Sequence, residues 1–269
     1  MIVEKAPAKL NLALHVRGRR DDGYHELETL FAFVEAGDMV RVAAGEGFSV
    51  TGPFAAALSG EGDNLVTRAA ARFAEAFGGG PWAIELAKHL PVASGIGGGS
   101  ADAAATLRAL GRLHGVLVAQ LFGIAEALGS DVPACLLGET AIGRGKGERL
   151  EPIDGAPGVP VLLVNPGVAV STAQVFAQWD GIDRGPLPEG RMGAIVHDGR
   201  NDLEPAARAV APEIDEVLDV LGNQPGALLA RMSGSGATCF ALFERAEDCA
   251  AAAVRMAQPG WWVCETALA

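Results

Sequence analysis

The sequence predicts an α+β fold in two halves, and three observations carry that prediction. Strand-like and helix-like segments mix along the 269 residues without the regular alternation of a doubly wound sheet. The composition, 49% hydrophobic and 20% charged, is that of a folded globular chain and excludes wholesale disorder. A stretch containing Gly and Pro, Asp154 to Pro160, divides the chain into residues 1–155 and 156–269.

Ala8 to Val16 alternates, with Leu10, Leu12, Leu14 and Val16 on one side and Lys9, Asn11, Ala13 and His15 on the other. That pattern is a strand with one packed and one polar face. A charged turn, Arg17 to Gly23, leads through Tyr24-His25-Glu26 into a β-like run, Leu27 to Phe33, and shorter strands follow at Val40 to Ala43 and Phe48 to Thr51. Asp63-Asn64 opens a helix, Leu65 to Phe77, which stops at Gly78-Gly79-Gly80. A strand at Trp82 to Leu86 precedes a glycine-rich loop, and helices follow at Ser100 to His114 and Ala119 to Leu128. The second half reads as a strand (Val161 to Val164), a helix near Ser171 to Trp179, and a polar loop to about Gly190. Composition marks the Asp180 to Arg191 segment as mobile. Then come a helix near Ile214 to Leu221, strands around Leu228 to Met232 and Thr238 to Phe243, a helix at Ala246 to Met256, and a closing strand, Trp261 to Glu265.

Charge narrows the function. Lys and Arg number 21 against 33 Asp and Glu, a net charge of −12. Such a chain repels phosphate backbones and anionic bilayers, which excludes general nucleic-acid and membrane-surface binding. Any phosphate it binds must therefore be held by local dipoles. Cys135, Cys239, Cys249 and Cys264 are widely spaced in apolar stretches, the usage of buried thiols in a reducing cytoplasm. The five histidines never fall at i, i+4, so no structural metal is implied. The N-terminal residues reach Glu4 and Lys5 without an apolar signal core, and the uncharged run Gly155 to Trp179 is broken by Pro157, Pro160 and Pro166. A soluble, cytoplasmic protein is expected.

The strongest local signal is Pro91-Val92-Ala93-Ser94-Gly95-Ile96-Gly97-Gly98-Gly99-Ser100-Ala101-Asp102, after a strand and before an Ala-rich helix. Glycines reach φ > 0 and let successive N–H groups converge, while the helix start adds unpaired N–H groups and a positive dipole end. Phosphate can bind there without a lysine. The alternative is a flexible turn with Ser100 as an ordinary N-cap. No Gly-Lys-Ser/Thr follows, so this is not a Walker A loop, and Ser100 replaces the third glycine of a dinucleotide fingerprint. No serine stands in a G-x-S-x-G elbow.

This segment resembles the ATP loop of the GHMP kinases. Ala6-Pro7-Ala8-Lys9-Leu10-Asn11-Leu12 is similar to their first motif, and Met232-Ser233-Gly234-Ser235-Gly236-Ala237-Thr238 to their third. Three further stretches resemble the branch of that family acting on 4-diphosphocytidyl-2-C-methyl-D-erythritol: Gly18 to Phe31 with its Gly23-Tyr24-His25-Glu26, Gly129-Ser130-Asp131-Val132-Pro133, and Asn165-Pro166-Gly167-Val168. The resemblance covers essentially the whole chain, in order.

It implies an ATP- and Mg²⁺-dependent kinase that phosphorylates the 2-hydroxyl of that small molecule, on the route to isoprenoid precursors. It also implies an N-terminal ATP-binding domain like the second domain of ribosomal protein S5 and a ferredoxin-like C-terminal domain. Asp131 would be the general base and Lys9 its partner, because a hydroxyl of high pKa must lose its proton as the phosphoryl group transfers. Pro91 to Ala101 would hold ATP, with Asn64 and Lys88 near the adenine. Asn11, Tyr24, His25, Thr172 and Phe176 would hold the acceptor, with Tyr24 and Phe176 sandwiching cytosine and His25 reading its edge. Ala101 stands where many members have a second serine, so only Ser100 offers a hydroxyl there. Each residue also has a plainer reading: Asp131 as a helix cap before Pro133, Lys9 as an edge lysine, Tyr24 and Phe176 as core aromatics. Two other functions stay open here, a related kinase acting on homoserine, mevalonate or a sugar, and an ATP-binding sensor that transfers nothing.

Overall fold

The computed structural model describes residues 1–58 and 64–269, so Asp63 lies outside the described residues. The chain forms two compact units: Met1–Ala8, Gly37–Val92 and Gly97–Gly138 in one, and Lys9–Ala36, Ala93–Ile96 and Glu139–Ala269 in the other. They interleave along the sequence. Two long strands, β1 (Ile2–Arg19) and β2 (His25–Ala44), give residues to both.

In the first unit follow β3 (Gly47–Thr51), α1 (Leu65–Phe77), β4 (Trp82–Ala87), α2 (Gly98–His114), α3 (Phe122–Leu128) and α4 (Val132–Leu137). β4 pairs antiparallel with residues 39–44 of β2 and parallel with β3. Asn64 begins α1 as a side-chain cap, and Val66, Ala69, Ala70 and Phe73 form its buried face. Helix α2 is buried almost all round. Its run of Ala and Gly keeps the cylinder thin enough for α1 and α4 to pack against it.

Sequence patterning splits β2 into two strands, and the structure runs it unbroken for 20 residues. Gly37 sits at the break in alternation because any Cβ there would strike the Ala6 carbonyl oxygen. Pairing overrides the low strand propensity of Glu35-Ala36-Gly37-Asp38.

The second unit continues with β5 (Ala141–Gly145), β6 (Arg149–Pro152), β7 (Pro160–Asn165) and α5 (Thr172–Ala177). After these come α6 (Met192–Asp198), α7 (Glu204–Val210), α8 (Glu213–Gly222), β8 (Ala227–Met232), β9 (Cys239–Phe243), α9 (Ala246–Met256) and β10 (Trp262–Ala267). β7 to β10 form a sheet in the order β10-β7-β9-β8, every pair antiparallel, with α5 to α8 before β8 and α9 before β10. This is the split β-α-β arrangement of a ferredoxin-like domain. Leu162, Val164, Ile214, Val217, Leu221, Phe243 and Met256 belong to its core.

The Asp180 to Arg191 segment is not loose. The His15 Nδ1 lies 2.9 Å from the Pro186 carbonyl oxygen, Arg17 pairs with Asp183 at 2.8 Å, and the Leu187 N–H donates to Glu28 at 3.0 Å. Cys135, Cys239 and Cys249 are buried and Cys264 is half-buried. Burial pushes the Cys249 thiol up to about 11, so it stays protonated at neutral pH.

Candidate active site

In the first unit, α2 begins at Gly98 with Gly97 as its N-cap in the left-handed region (φ 66°), and no side chain caps it. Ser100 is therefore the third residue of the helix and not its cap. Its hydroxyl and the first N–H groups are left to other partners. Along the preceding loop φ is positive at every second residue, Ala93, Gly95 and Gly97, a geometry that lets neighbouring N–H groups converge. Ala93 pays a steric penalty there that glycine would not.

Asp131 occupies the cap position of α4, just before Val132-Pro133, yet its side chain makes no capping hydrogen bond. Asn64 does cap: its Oδ1 accepts the N–H groups of Val66 and Thr67 at 2.9 and 3.1 Å. Lys88, expected near the adenine, turns its side chain into the interior of the unit. The ammonium is buried, 2% exposed, and donates to Asp38 at 2.6 Å and Asp102 at 2.7 Å. Burial pulls its pKa down, but the two carboxylates outweigh that and hold it above the usual lysine value.

In the second unit the three motifs meet. The Lys9 N–H donates to the Ile96 carbonyl at 2.9 Å, and the Asn11 N–H to the Ser233 hydroxyl at 3.1 Å. That hydroxyl in turn donates to the Gly95 carbonyl, and the Thr238 N–H to the Ser94 carbonyl, each at 3.1 Å. The Lys9 side chain is buried, donates to Asn11 Oδ1 at 2.8 Å and lies 5.3 Å from the centre of the Phe31 ring. The amide of Asn11 is itself fixed, since its Nδ2 donates to Thr29 Oγ1, which donates to the Ala13 carbonyl. Lys9 is thus a held ammonium and not a solvated edge lysine.

Tyr24 is 53% exposed with the Lys146 ammonium 4.5 Å from its ring centre, so it is no core aromatic. The His25 ring lies 4.8 Å from Phe176 and 5.6 Å, edge-on, from Trp179. Phe176 also packs on the domain core. Burial, with a smaller push from Arg19, lowers the His25 pKa, so the imidazole is neutral at pH 7. Its Nε2 and the Trp179 Nε1 are both buried without a hydrogen-bond partner. Thr172 Oγ1 lies 2.9 Å from Ser235 Oγ. Sequence reasoning missed Trp179 and Lys146, because neither stands in a motif. Asn201 was missed too; it donates to the Met232 and Gly234 carbonyls at 2.8 Å each and holds the third motif.

Two family models match the chain, the GHMP kinases N terminal domain at residues 64–139 and the GHMP kinases C terminal region at 189–260. The chain belongs to the GHMP kinases. A relative in Rhizorhabdus wittichii, named 4-diphosphocytidyl-2-C-methyl-D-erythritol kinase, is 54% identical over 96% of this chain and 92% of its own length. A crystal structure of a 4-(cytidine 5'-diphospho)-2C-methyl-D-erythritol kinase superposes with a TM-score of 0.85 at 38% identity, covering 99% of each chain. Homoserine kinase from Cytophaga hutchinsonii gives a TM-score of 0.69 at 20% identity, over 99% of this chain and 94% of its own, and shares the fold alone.

Proposed function

We propose that this kinase transfers the γ-phosphoryl group of ATP to the 2-hydroxyl of 4-diphosphocytidyl-2-C-methyl-D-erythritol. The uncapped, glycine-led start of α2 is the observation that supports it most. There a helix dipole and free N–H groups can grip a triphosphate in a chain of net charge −12. ATP is taken with Mg²⁺ on its phosphates. The Ser100 hydroxyl, in the first turn of α2, is an oxygen donor of the kind that could serve phosphate or Mg²⁺. Bound there, Mg²⁺ neutralises phosphate charge.

In this proposal the acceptor oxygen attacks the γ-phosphorus as its proton passes to Asp131, and the bond from that phosphorus to the ADP oxygen breaks. Lys9, oriented by Asn11, offsets negative charge on the transferring group. Tyr24 and Phe176 stack cytosine, and the partnerless Nε2 of neutral His25 supplies a polar edge for the base. Homoserine or mevalonate would leave that aromatic and imidazole surface without a partner. The reaction belongs in the cytoplasm, where ATP is abundant, and no helix among the described residues is long and apolar enough to cross a membrane.

ADP release measured with the cytidyl acceptor, homoserine and mevalonate tests the assignment. Turnover is expected with the first alone, and turnover with either of the others would overturn it. Asp131→Asn is expected to lower kcat by about 10²-fold or more while ATP still binds. Unchanged turnover would remove Asp131 from the mechanism.

A further inference from the structure

The first unit holds a buried ionic cluster for which phosphoryl transfer has no direct use. Asp38 in β2, Lys88 just after β4 and Asp102 in the first turns of α2 are 0%, 2% and 2% exposed. Asp38 Oδ1 accepts the N–H groups of His89 and Leu90 at 2.5 and 2.9 Å, and its Oδ2 accepts Lys88 Nζ at 2.6 Å. Lys88 then reaches Asp102 Oδ2 at 2.7 Å, while Asp102 Oδ1 is buried with no partner.

Such a cluster is a poor stabiliser, because desolvating three charged groups offsets most of their attraction and apolar side chains would pack as well. What it supplies is position. Its hydrogen bonds run to residues 88–90 on one side of the glycine-rich loop and to Asp102 on the other, so both ends of the loop stand on it. Gly98 confirms how close the ammonium comes. Its φ is not in the left-handed region, yet a Cβ there would lie 3.1 Å from Lys88 Nζ. The ammonium thus lies beneath the first residue of α2, held there by the two carboxylates.

We propose that Asp38, Lys88 and Asp102 are positioning residues for the ATP phosphates, fixing the start of α2 against residues 88–90 so that its N–H groups are set before nucleotide arrives. This rests on the reading that the α2 start binds ATP. The charged groups acting on Asp102 are Lys88 and Asp38; α4 has none, and Arg68, Arg72 and Glu75 of α1 are exposed. Preorganised donors lower the cost of binding without entering the chemical step, so the cluster's signature is a change in KM for ATP at constant kcat.

The test uses the full chain. Asp102→Ala is expected to raise KM for ATP about tenfold, leaving kcat and the acceptor KM within twofold. Asp102→Asn, which still accepts from Lys88, restores KM for ATP to within about threefold of the wild type. A lowered melting temperature with wild-type KM for ATP, or equal losses for both substrates, overturns the proposal. Hydrogen exchange on the wild-type protein gives a second reading that no folding failure can spoil. A non-hydrolysable ATP analogue should protect the amides of His89 and Leu90 together with those of residues 98–101. Protection confined to 98–101 overturns the positioning role and leaves the ATP site standing, whereas no binding of the analogue overturns both.

Discussion

The glycine-rich stretch that opens α2 and the one between β8 and β9 look alike as sequence and differ in where their polar groups go. The first ends in a helix start that no side chain caps. The second is consumed from within: the Ser233 N–H donates to the Thr238 carbonyl, the Gly236 N–H to the Ser233 carbonyl, and Asn201 takes the Met232 and Gly234 carbonyls. Buried backbone groups must be paired, so a stretch that pairs its own acts as a clamp, and one whose helix start no side chain caps is the candidate for receiving a ligand. Glycine content marks both and distinguishes neither.

The sharpest way to break this contrast is at Gly95, where the two stretches touch. Its φ is +78°, and a Cβ would lie 2.6 Å from both the Ser233 and Gly236 carbonyl oxygens. Gly95→Ala meets a left-handed backbone and two oxygens at once, so a loss of about 3 kcal/mol is expected from urea unfolding. Wild-type stability would mean that the junction yields freely and that the second stretch clamps nothing. Asn201→Ala comes next. It strands the Met232 and Gly234 carbonyls and the Leu203 N–H that Asn201 Oδ1 accepts, for an expected loss of about 2 kcal/mol. KM for ATP should stay within threefold. A raised KM with no change in stability would make the third motif a ligand loop instead of a clamp.

Much of this architecture is legible in the residues. Alternation found the Lys9 strand, and Asn64 with Gly78 bracketed α1. The separate motifs identified the kinase family. What stayed hidden depends on partners far along the chain. β5, β6, α4, α6 and α7, four to seven residues long, are not legible in the residues, whereas β3, β9 and α5, no longer than most of these, are; at that length periodicity alone does not decide. The strapping of residues 183–187 onto β1 and β2 comes from single long-range contacts by His15, Arg17 and Glu28, which a polar composition conceals. Lys88 is the clearest case. No motif ties Lys88 to Asp38 or Asp102, and only the fold brings them around it, 50 and 14 residues away.

Ser100 separates the two kinds of loop with the smallest change. As the third residue of α2, half-buried, with Gly97 already in the cap position, its hydroxyl has no structural duty that the helix would miss. Alanine is the better helix former by about 0.5 kcal/mol, so Ser100→Ala should leave the melting temperature level or slightly raised. If the α2 start receives the triphosphate, the lost hydroxyl removes one hydrogen bond to a charged oxygen. KM for ATP should then rise about tenfold, roughly 1.4 kcal/mol, with the acceptor KM unchanged. A lowered melting temperature with unaltered KM would give the hydroxyl to the helix itself. Both glycine-rich stretches would then be clamps, and the phosphates would have to be held elsewhere.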